Sequence, residues 1–269
     1  MSDDATTGID SRTPSMRRDL AIRALIVALA VAILGTQSTF GQDGGPAAHP
    51  DFSGLWFPAG FPRIPRPLPL TDAAQPLAAR YEKEFAIDDD AGRYCIWPGM
   101  PRSVWGAPFP IEIIQRPQDV TIYWEGYGMY RKIYMADHHP PPSVLPSAMG
   151  HSVGRWEGDT LVIETTDLRA YPYMRSLPTT SAAKLLERMR IDVRTGEKGA
   201  RKYLVDDITL TDPKMYKIPI QIKAEAELRS DVQLLEYTCT DTLWDDYLQS
   251  RGLTLPDVDA LPEPGRVER

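Results

Sequence analysis

The sequence has little of several features that mark common functional classes. Its 269 residues include only two cysteines and no Cys-x-x-Cys pair, which argues against a thiolate metal site. It contains no run of basic residues, and its net charge of −7 argues against binding to nucleic acid or to an anionic membrane surface. Its apolar run at residues 24–34 is shorter than the ~20 residues that a membrane-spanning helix needs.

That apolar run has instead the features of an export signal. Arginines precede it, and small residues follow it as far as Gly41. A basic region, a short apolar region and a small-residue cleavage zone are typical of secretory signal peptides. We therefore predict a signal peptide over residues 1–41, with Met16 as an alternative start and an uncleaved anchor as the alternative to cleavage. The mature protein is predicted to be periplasmic or secreted, without membrane attachment after cleavage.

Export determines the interpretation of the two cysteines, Cys95 and Cys239. An even number of cysteines in an oxidising compartment predicts a disulfide. The bond would close a loop over more than half of the chain, which contributes at most ~4–5 kcal/mol in the chain-entropy treatment. The alternative is a pair of buried free thiols.

Much of the chain has the composition and alternation of β-strands. β-Branched and aromatic residues recur in short segments that turn residues separate, and short connections favour antiparallel neighbours. One helix is predicted from Thr71 or Asp72 to Phe85, with a last helical turn at residues 244–249. A proline-rich segment, residues 57–70, is expected to run extended over the surface. The strand candidates lie at residues 51–56, 111–115, 120–125, 129–135, on both sides of a turn within 150–166, and at 184–193, 202–211, 218–228 and 234–239.

About nine or ten antiparallel strands with little helix predict a barrel or a sandwich. We favour a single barrel domain over residues 51–253, after a linker at 42–50 and before a flexible tail at 254–269. The Gly-Leu-Trp sequence that ends at Trp56 resembles the first strand of lipocalin-type barrels, where the tryptophan fills one end. The predicted fold is therefore mostly β, a lipocalin-like antiparallel barrel with one short helix and a proline-rich N-terminal segment.

Residues 150–166 carry the strongest hairpin signal in the chain. Gly158-Asp159 favours a two-residue turn, which would place Trp156 opposite Leu161. One face of the hairpin then carries Trp156, Leu161 and Ile163 and is the natural core side. A slip of one residue would exchange the two faces. The polar face is either a solvated surface or, in a closed barrel, the lining of a ligand cavity, and it carries His151, Arg155, Glu157, Glu164 and Thr166.

Residues 150–162 read Gly-His-Ser-Val-Gly-Arg-Trp-Glu-Gly-Asp-Thr-Leu-Val. In this block the chain resembles a family of uncharacterised exported bacterial proteins, and the resemblance extends over most of the mature chain. It implies export and common ancestry but no reaction. The chain departs from the family pattern at residues 147–148 and 167–169, which implies a different ligand specificity if those positions line a site. Other segments that carry the resemblance are 51–56, 111–115, 131–134, 139–140 and 234–239.

The histidines near this block are candidate acid–base groups. Histidine suits acid–base chemistry because the unperturbed pKa of its side chain lies near physiological pH. The candidates are His138, His139 and His151, and Asp137, Glu157 or Glu164 could orient one of them. Such a set fits an isomerase, lyase or hydrolase, whereas the alternative is that His138 and His139 are exposed loop residues. Their spacing matches no compact metal motif, so no metal and no cofactor are predicted.

Ser152 lies in a Gly-x-Ser-x-Gly string, Gly150 to Gly154, which is typical of nucleophilic serines. That motif requires a helix after the serine, and a hairpin strand is expected here, so we reject a serine hydrolase.

The main competing interpretation is a non-catalytic carrier of an apolar or aromatic small molecule. Aromatic residues would line the barrel, and Arg155 would bind an acidic group of the ligand, with Glu157 as a further candidate contact. A structural envelope protein is the third possibility, for which the sequence offers no interaction surface. Oligomeric state and ligand identity are not predicted. The aromatic candidates are Trp56, Tyr123, Trp124, Tyr130, Tyr134 and Trp156.

Overall fold

The computed structural model describes residues 49–254, except 63, 88, 90, 106–108, 144 and 198. All of these residues belong to the second of two compact units in the chain, residues 49–269. The predicted signal peptide, most of the predicted linker and almost all of the predicted tail lie outside the described residues.

Nine strands form a closed barrel, which confirms the predicted fold class. The strands follow one another around the barrel in chain order, and the last pairs with the first. Two α-helices accompany them, α1 (Gln75–Glu84) and α2 (Cys239–Ser250). The strands are β1 (Gly54–Pro58), β2 (Ile111–Gln115), β3 (Asp119–Trp124), β4 (Met129–Met135), β5 (His151–Glu157), β6 (Thr160–Thr166), β7 (Lys184–Gly196), β8 (Gly199–Thr211) and β9 (Ile220–Arg229).

The expectation of a wholly antiparallel barrel is wrong at one pair of strands. β4 and β5 run parallel, and every other neighbouring pair is antiparallel. An odd number of strands cannot alternate in direction all the way around a closed ring, so at least one parallel pair is required. The connection between β4 and β5, residues 136–150, is long enough to carry the chain back to the end at which β4 began.

Strand pairing assigns one inward-facing set of side chains around the whole barrel. Side chains alternate between the two faces along a strand, and directly paired residues of neighbouring strands share a face. The register of each strand pair therefore shows which residues of the next strand face inward. Gly154 of β5 lies inward, where an added Cβ would approach Ile133 Cγ2 to 2.9 Å, so glycine permits close packing of β4 on β5. The buried inward residues include Trp56, Ile113, Ile122, Ile133, Leu161, Leu185, Ile208 and Ile222.

The predicted strand at residues 234–239 is wrong. These residues are irregular, and α2 begins at Cys239, earlier than the predicted helical turn at 244–249. The pairing of β9 with β1 explains the difference, because a closed barrel leaves no free edge for a tenth strand. No helix in the described part of the chain is long and apolar enough to cross a membrane.

The predicted disulfide is present. Cys95 and Cys239 are bonded, with their Cα atoms 5.6 Å apart. The bond joins the first residue of α2 to the segment that precedes β2. Cys95 has a φ of 57°, a left-handed conformation that is uncommon outside glycine, so the chain turns sharply at the bond.

Candidate functional site

The central hairpin has the predicted register, and its polar face lies on the outside of the barrel. His151 pairs with Thr166 and Trp156 with Leu161, as the two-residue turn requires. The outward side chains are neutralised locally, since Arg155 donates to Glu164 at 2.7 Å and to Glu157 at 3.0 Å. Of the two interpretations of this face, the structure therefore favours the solvated surface over the cavity lining.

The candidate histidines lie along the exterior connection between β4 and β5. His151 Nε2 lies 2.8 Å from the carbonyl oxygen of Pro141, and its ring stacks near Tyr134. His138 Nε2 is 3.9 Å from a carboxylate oxygen of Asp137, and His139 is exposed. The acid–base roles of these residues and of Glu164 stay predictions.

The barrel interior contains a buried polar network that the sequence analysis did not identify. Arg131 of β4 is 2% exposed and donates to Glu187 of β7 through two nitrogens, at 2.8 and 2.5 Å. It also donates to Ser152 Oγ at 2.9 Å and to Thr165 Oγ1 at 2.7 Å. Protein groups thus satisfy each of the three guanidinium nitrogens of Arg131.

Asp206 of β8 extends this network to a fifth consecutive strand. Burial raises the pKa of its carboxyl well above the ordinary value, and the nearby negative charge of Glu187 raises the pKa further. Arg131 lowers the pKa of Asp206 but does not outweigh these two causes. Its Oδ1 has no hydrogen-bond partner among the described residues. The carboxyl of Asp206 therefore holds its proton more tightly than an ordinary aspartate, beside the Arg131–Glu187 ion pair.

The sequence does contain a signal for this network. Arg131, Glu187 and Asp206 each occupy the apolar half of an alternating strand; Arg131, for example, shares its face with Met129, Ile133 and Met135. A charged residue at an inward position must be paired, because an isolated buried charge is very costly. Strand alternation read with this rule would have identified all three.

The structure has a cleft with a volume of about 580 Å³, and none of its described lining residues is an inward-facing residue of a barrel strand. It is formed by connecting segments, with Tyr81 of α1 as its helical contribution. None of the site residues predicted from the sequence belongs to its described lining. The lining comprises Phe61, Pro62, Ile64, Arg66, Tyr81, Ile87, Asp89, Ala91, Gly92, Ile96, Trp97, Pro98, Arg102, Phe109, Tyr127, Tyr171, Tyr173, Arg175 and Ser176.

Aromatic pairs form much of the cleft wall. The rings of Trp97 and Tyr127 are 4.8 Å apart, and those of Tyr171 and Tyr173 are 4.7 Å apart. Trp97 Nε1 is buried without a hydrogen-bond partner among the described residues. Aromatic walls of this kind suit flat apolar ligands, which bury large areas against them.

Three arginines belong to the described lining of the cleft, and one of them has a structural role. Arg175 donates to Glu82 at 3.1 Å and to the carbonyl oxygens of Phe85 and Ala86, which follow α1. These contacts tie the loop at residues 171–176 to the C-terminal end of the helix. The other two arginines, Arg66 and Arg102, also contact this loop.

The disulfide fixes one wall of the cleft. Cys95 lies between two groups of lining residues, Ala91-Gly92 and Ile96-Trp97-Pro98. The hydroxyl of Tyr127 donates to the carbonyl oxygen of Gly92 at 3.2 Å, which attaches the same wall to the end of β3. This wall of the cleft is therefore held by a covalent bond as well as by packing.

The next segment along the chain links the cleft to the barrel interior. Trp97 and Arg102 line the cleft, and Met100 between them is 3% exposed, with its Sδ 3.8 Å from Arg131 Nη1. Met100 also donates its backbone N–H to the carbonyl oxygen of Ala148. Residues 97–102 thus contribute both to the wall of the cleft and to the packing around the buried network.

The aromatic residues predicted to line the barrel divide between its two faces. Trp56, Trp124 and Trp156 lie inward, whereas the three tyrosines, including Tyr134, alternate with inward residues and lie outward. Trp156 stacks against His49 at 4.5 Å. Binding roles for Trp124, Trp156, Tyr134, Arg155 and Glu157 stay untested. Within the described residues, no group of three His, Cys, Asp or Glu side chains is arranged to hold a metal ion.

Comparison with known proteins does not assign the chain to a family. No family model matches the chain, and no curated protein and no solved structure matches it. What is shown is a closed nine-strand β-barrel with a disulfide and a cleft beside it.

Proposed function

We propose that this protein is an exported small-molecule-binding barrel and that its ligand occupies the cleft. The supporting observation is the combination of a cleft of about 580 Å³, aromatic pairs in its wall and arginines at its surface. Such volume and such a lining are usual in sites for small organic molecules. The disulfide supports the predicted export, because disulfides persist in oxidising compartments.

A carrier fits the geometry better than an acid–base enzyme. The described lining has one carboxylate, Asp89, whose Oδ2 accepts a hydrogen bond from the backbone N–H of Ala86 at 2.6 Å. It contains no histidine among the described residues, and an arginine is a poor proton donor or acceptor because it stays charged. The cleft therefore provides groups that orient a ligand rather than groups that exchange protons with it.

The binding proposal is tested by titration with N-phenyl-1-naphthylamine, an uncharged aromatic probe whose fluorescence rises in apolar sites. The wild-type protein is expected to bind it saturably. Ala91→Trp places a large side chain in the cleft and is expected to reduce the affinity at least about tenfold. The matched control is Ala200→Trp, which adds the same side chain at an exposed position of the β7–β8 hairpin. Equal binding by all three proteins would refute the cleft as the site.

A further inference from the structure

We propose that the ligand of the cleft is an organic anion with an aromatic or apolar body, and that Arg102 and Arg66 bind its acidic group. This inference rests on the proposed binding function and adds the chemical class of the ligand. Its basis is the number of guanidinium hydrogen-bond donors that the protein leaves unused at the cleft.

Arg102 has the larger number of unused donors. A guanidinium carries five N–H donors, and the hydrogen bond that Arg102 makes with its side chain runs from Nη1 to the hydroxyl of Tyr171, at 2.8 Å. No carboxylate among the described residues forms a salt bridge with it. Its guanidinium carbon lies 5.7 Å from the centre of the Tyr171 ring, so the group is held in place while most of its donors remain available.

Arg66 is held by the same loop, residues 171–176. Its Nη2 donates to the carbonyl oxygens of Arg175 and Ser176, both at 3.0 Å. No further side-chain bond of Arg66 and no salt bridge of it is found among the described residues. Arg66 and Arg102 are thus both anchored to residues 171–176, with donors left on Nε and Nη1 of Arg66.

The described lining does not contain enough negative charge to neutralise these groups. Arg175 is paired with Glu82 and with two carbonyl oxygens. The positive charges of Arg66 and Arg102 then exceed the single negative charge that Asp89 contributes to the described lining. Asp89 already accepts a backbone hydrogen bond. An anion would supply the missing acceptors, since guanidinium forks bind carboxylate, sulfonate and phosphate groups through two hydrogen bonds.

The aromatic wall sets the other part of the ligand. A small inorganic anion would bind the arginines but would not cover the rings of the aromatic pairs Trp97–Tyr127 and Tyr171–Tyr173 in the cleft wall. An uncharged hydrocarbon would cover the rings and leave the guanidinium donors unpaired in a partly desolvated site, which is costly. A molecule with both parts satisfies both sets of groups.

The test compares two probes that differ in one acidic group. 8-Anilinonaphthalene-1-sulfonate has the carbon and nitrogen skeleton of N-phenyl-1-naphthylamine and adds a sulfonate. The wild-type protein is expected to bind the sulfonate at least about tenfold more tightly than the uncharged probe, as one charge-assisted hydrogen-bonded contact allows. Arg102→Gln is expected to remove most of this preference and to leave the affinity for the uncharged probe unchanged.

Arg201→Gln is the matched control, because it removes an exposed arginine that pairs with Glu227 on the outer face of the barrel. It should leave both affinities unchanged, whereas Arg155→Gln tests the outer face of the central hairpin as an alternative site for the anion. If both probes bind equally well to the wild-type protein, the anion inference is refuted and the binding function stands. If neither probe binds, the proposed function itself is refuted. Preference for the sulfonate that Arg155→Gln abolishes and Arg102→Gln retains would also overturn the inference, since it would place the anion at the outer face.

Discussion

Two arginines of this protein, Arg131 and Arg102, differ in how their hydrogen-bond donors and charge are satisfied. Arg131 lies inside the barrel, where Glu187, Ser152 and Thr165 satisfy its donors. Arg102 lies at the cleft, where Tyr171 provides one acceptor for it. Met100 packs in the same segment as Arg102 and touches Arg131. A guanidinium whose donors are used by the protein contributes to the fold, whereas one with donors left over is available to a ligand.

The difference follows from burial. At 2% exposure, Arg131 has lost its water and must be compensated by the protein itself. Arg102 is half-buried, so water can satisfy its remaining donors until a ligand replaces that water. Variants that remove partners of Arg131 should therefore act mainly on stability, and variants at the cleft should act mainly on binding.

Removal of one partner from the buried pair is expected to have the largest effect. Glu187→Ala leaves Arg131 charged and uncompensated, which should reduce the free energy of unfolding by about 3–5 kcal/mol. The double variant Arg131→Met/Glu187→Leu removes both charges at similar volume and should be less destabilised than Glu187→Ala. Urea denaturation measures both values. A double variant that is less stable than the single one would show that the charges contribute net stability.

Loss of the disulfide is expected to have the next largest effect. Cys95→Ala/Cys239→Ala should reduce stability by about 2–5 kcal/mol, since the bond closes a loop over most of the barrel. Because Cys95 holds the cleft wall, the variant should also bind N-phenyl-1-naphthylamine more weakly while it retains a β-rich circular dichroism spectrum. Unchanged affinity in a folded variant would show that the disulfide does not shape the cleft.

Asp206 is expected to give a smaller, pH-dependent effect. Its pKa is raised in the folded protein by burial and by Glu187, whereas an aspartate in an unfolded chain titrates at about 3.9. Between these two values the folded protein holds a proton that the unfolded chain has lost. This contribution to stability is therefore fully present below pH 3.9 or so and falls as the pH rises through the folded-state pKa.

Denaturation as a function of pH measures this contribution. Asp206→Asn keeps the shape of the side chain without titration, so its stability should fall less steeply with rising pH than that of the wild type. Glu225 is the matched control, because a hydrogen bond from Arg194 lowers its pKa from 4.5 to about 2. The stability that Glu225 contributes is present above pH 4.5 or so and is lost as the pH falls towards 2. Glu225→Gln should therefore remove this loss of stability in acid. Parallel curves for Asp206→Asn and the wild type would contradict a raised pKa of Asp206.

The smallest effect is expected on the outer face of the central hairpin. Arg155→Gln removes the bonds to Glu157 and Glu164, but both pairs are exposed to solvent and screened by salt. The change in stability should be close to the error of a denaturation experiment and should disappear at high salt. A loss comparable to that of Glu187→Ala would show that this face is buried in the native protein, for example by a partner.

The sequence predicted the barrel well because strand alternation and turn chemistry are local signals. The hairpin register at Gly158-Asp159 and most of the strands follow from them. The parallel pair β4–β5 and the irregular segment at 234–239 depend on barrel closure, a property of the whole ring. A composition that permits a strand at residues 234–239 cannot reveal that every edge is already paired.

The candidate site could not be predicted in the same way. The described lining of the cleft combines residues from five connecting or helical segments between Phe61 and Ser176, and no short motif joins them. The histidines around His151 were predicted as acid–base groups because they cluster in sequence, yet they lie on the exterior of the barrel. Pairing of Arg131 with Glu187 was accessible through strand alternation, but the unused donors of Arg102 became visible only when its neighbours were known.

The most direct test of the account is a crystal structure of the protein grown with 8-anilinonaphthalene-1-sulfonate. The account predicts that the probe lies in the cleft, with its rings against Trp97 or Tyr171 and its sulfonate within hydrogen-bond distance of Arg102. A probe bound instead at the outer face beside Arg155, or inside the barrel next to Arg131, would contradict the central claim that unused guanidinium donors at the cleft mark the binding site.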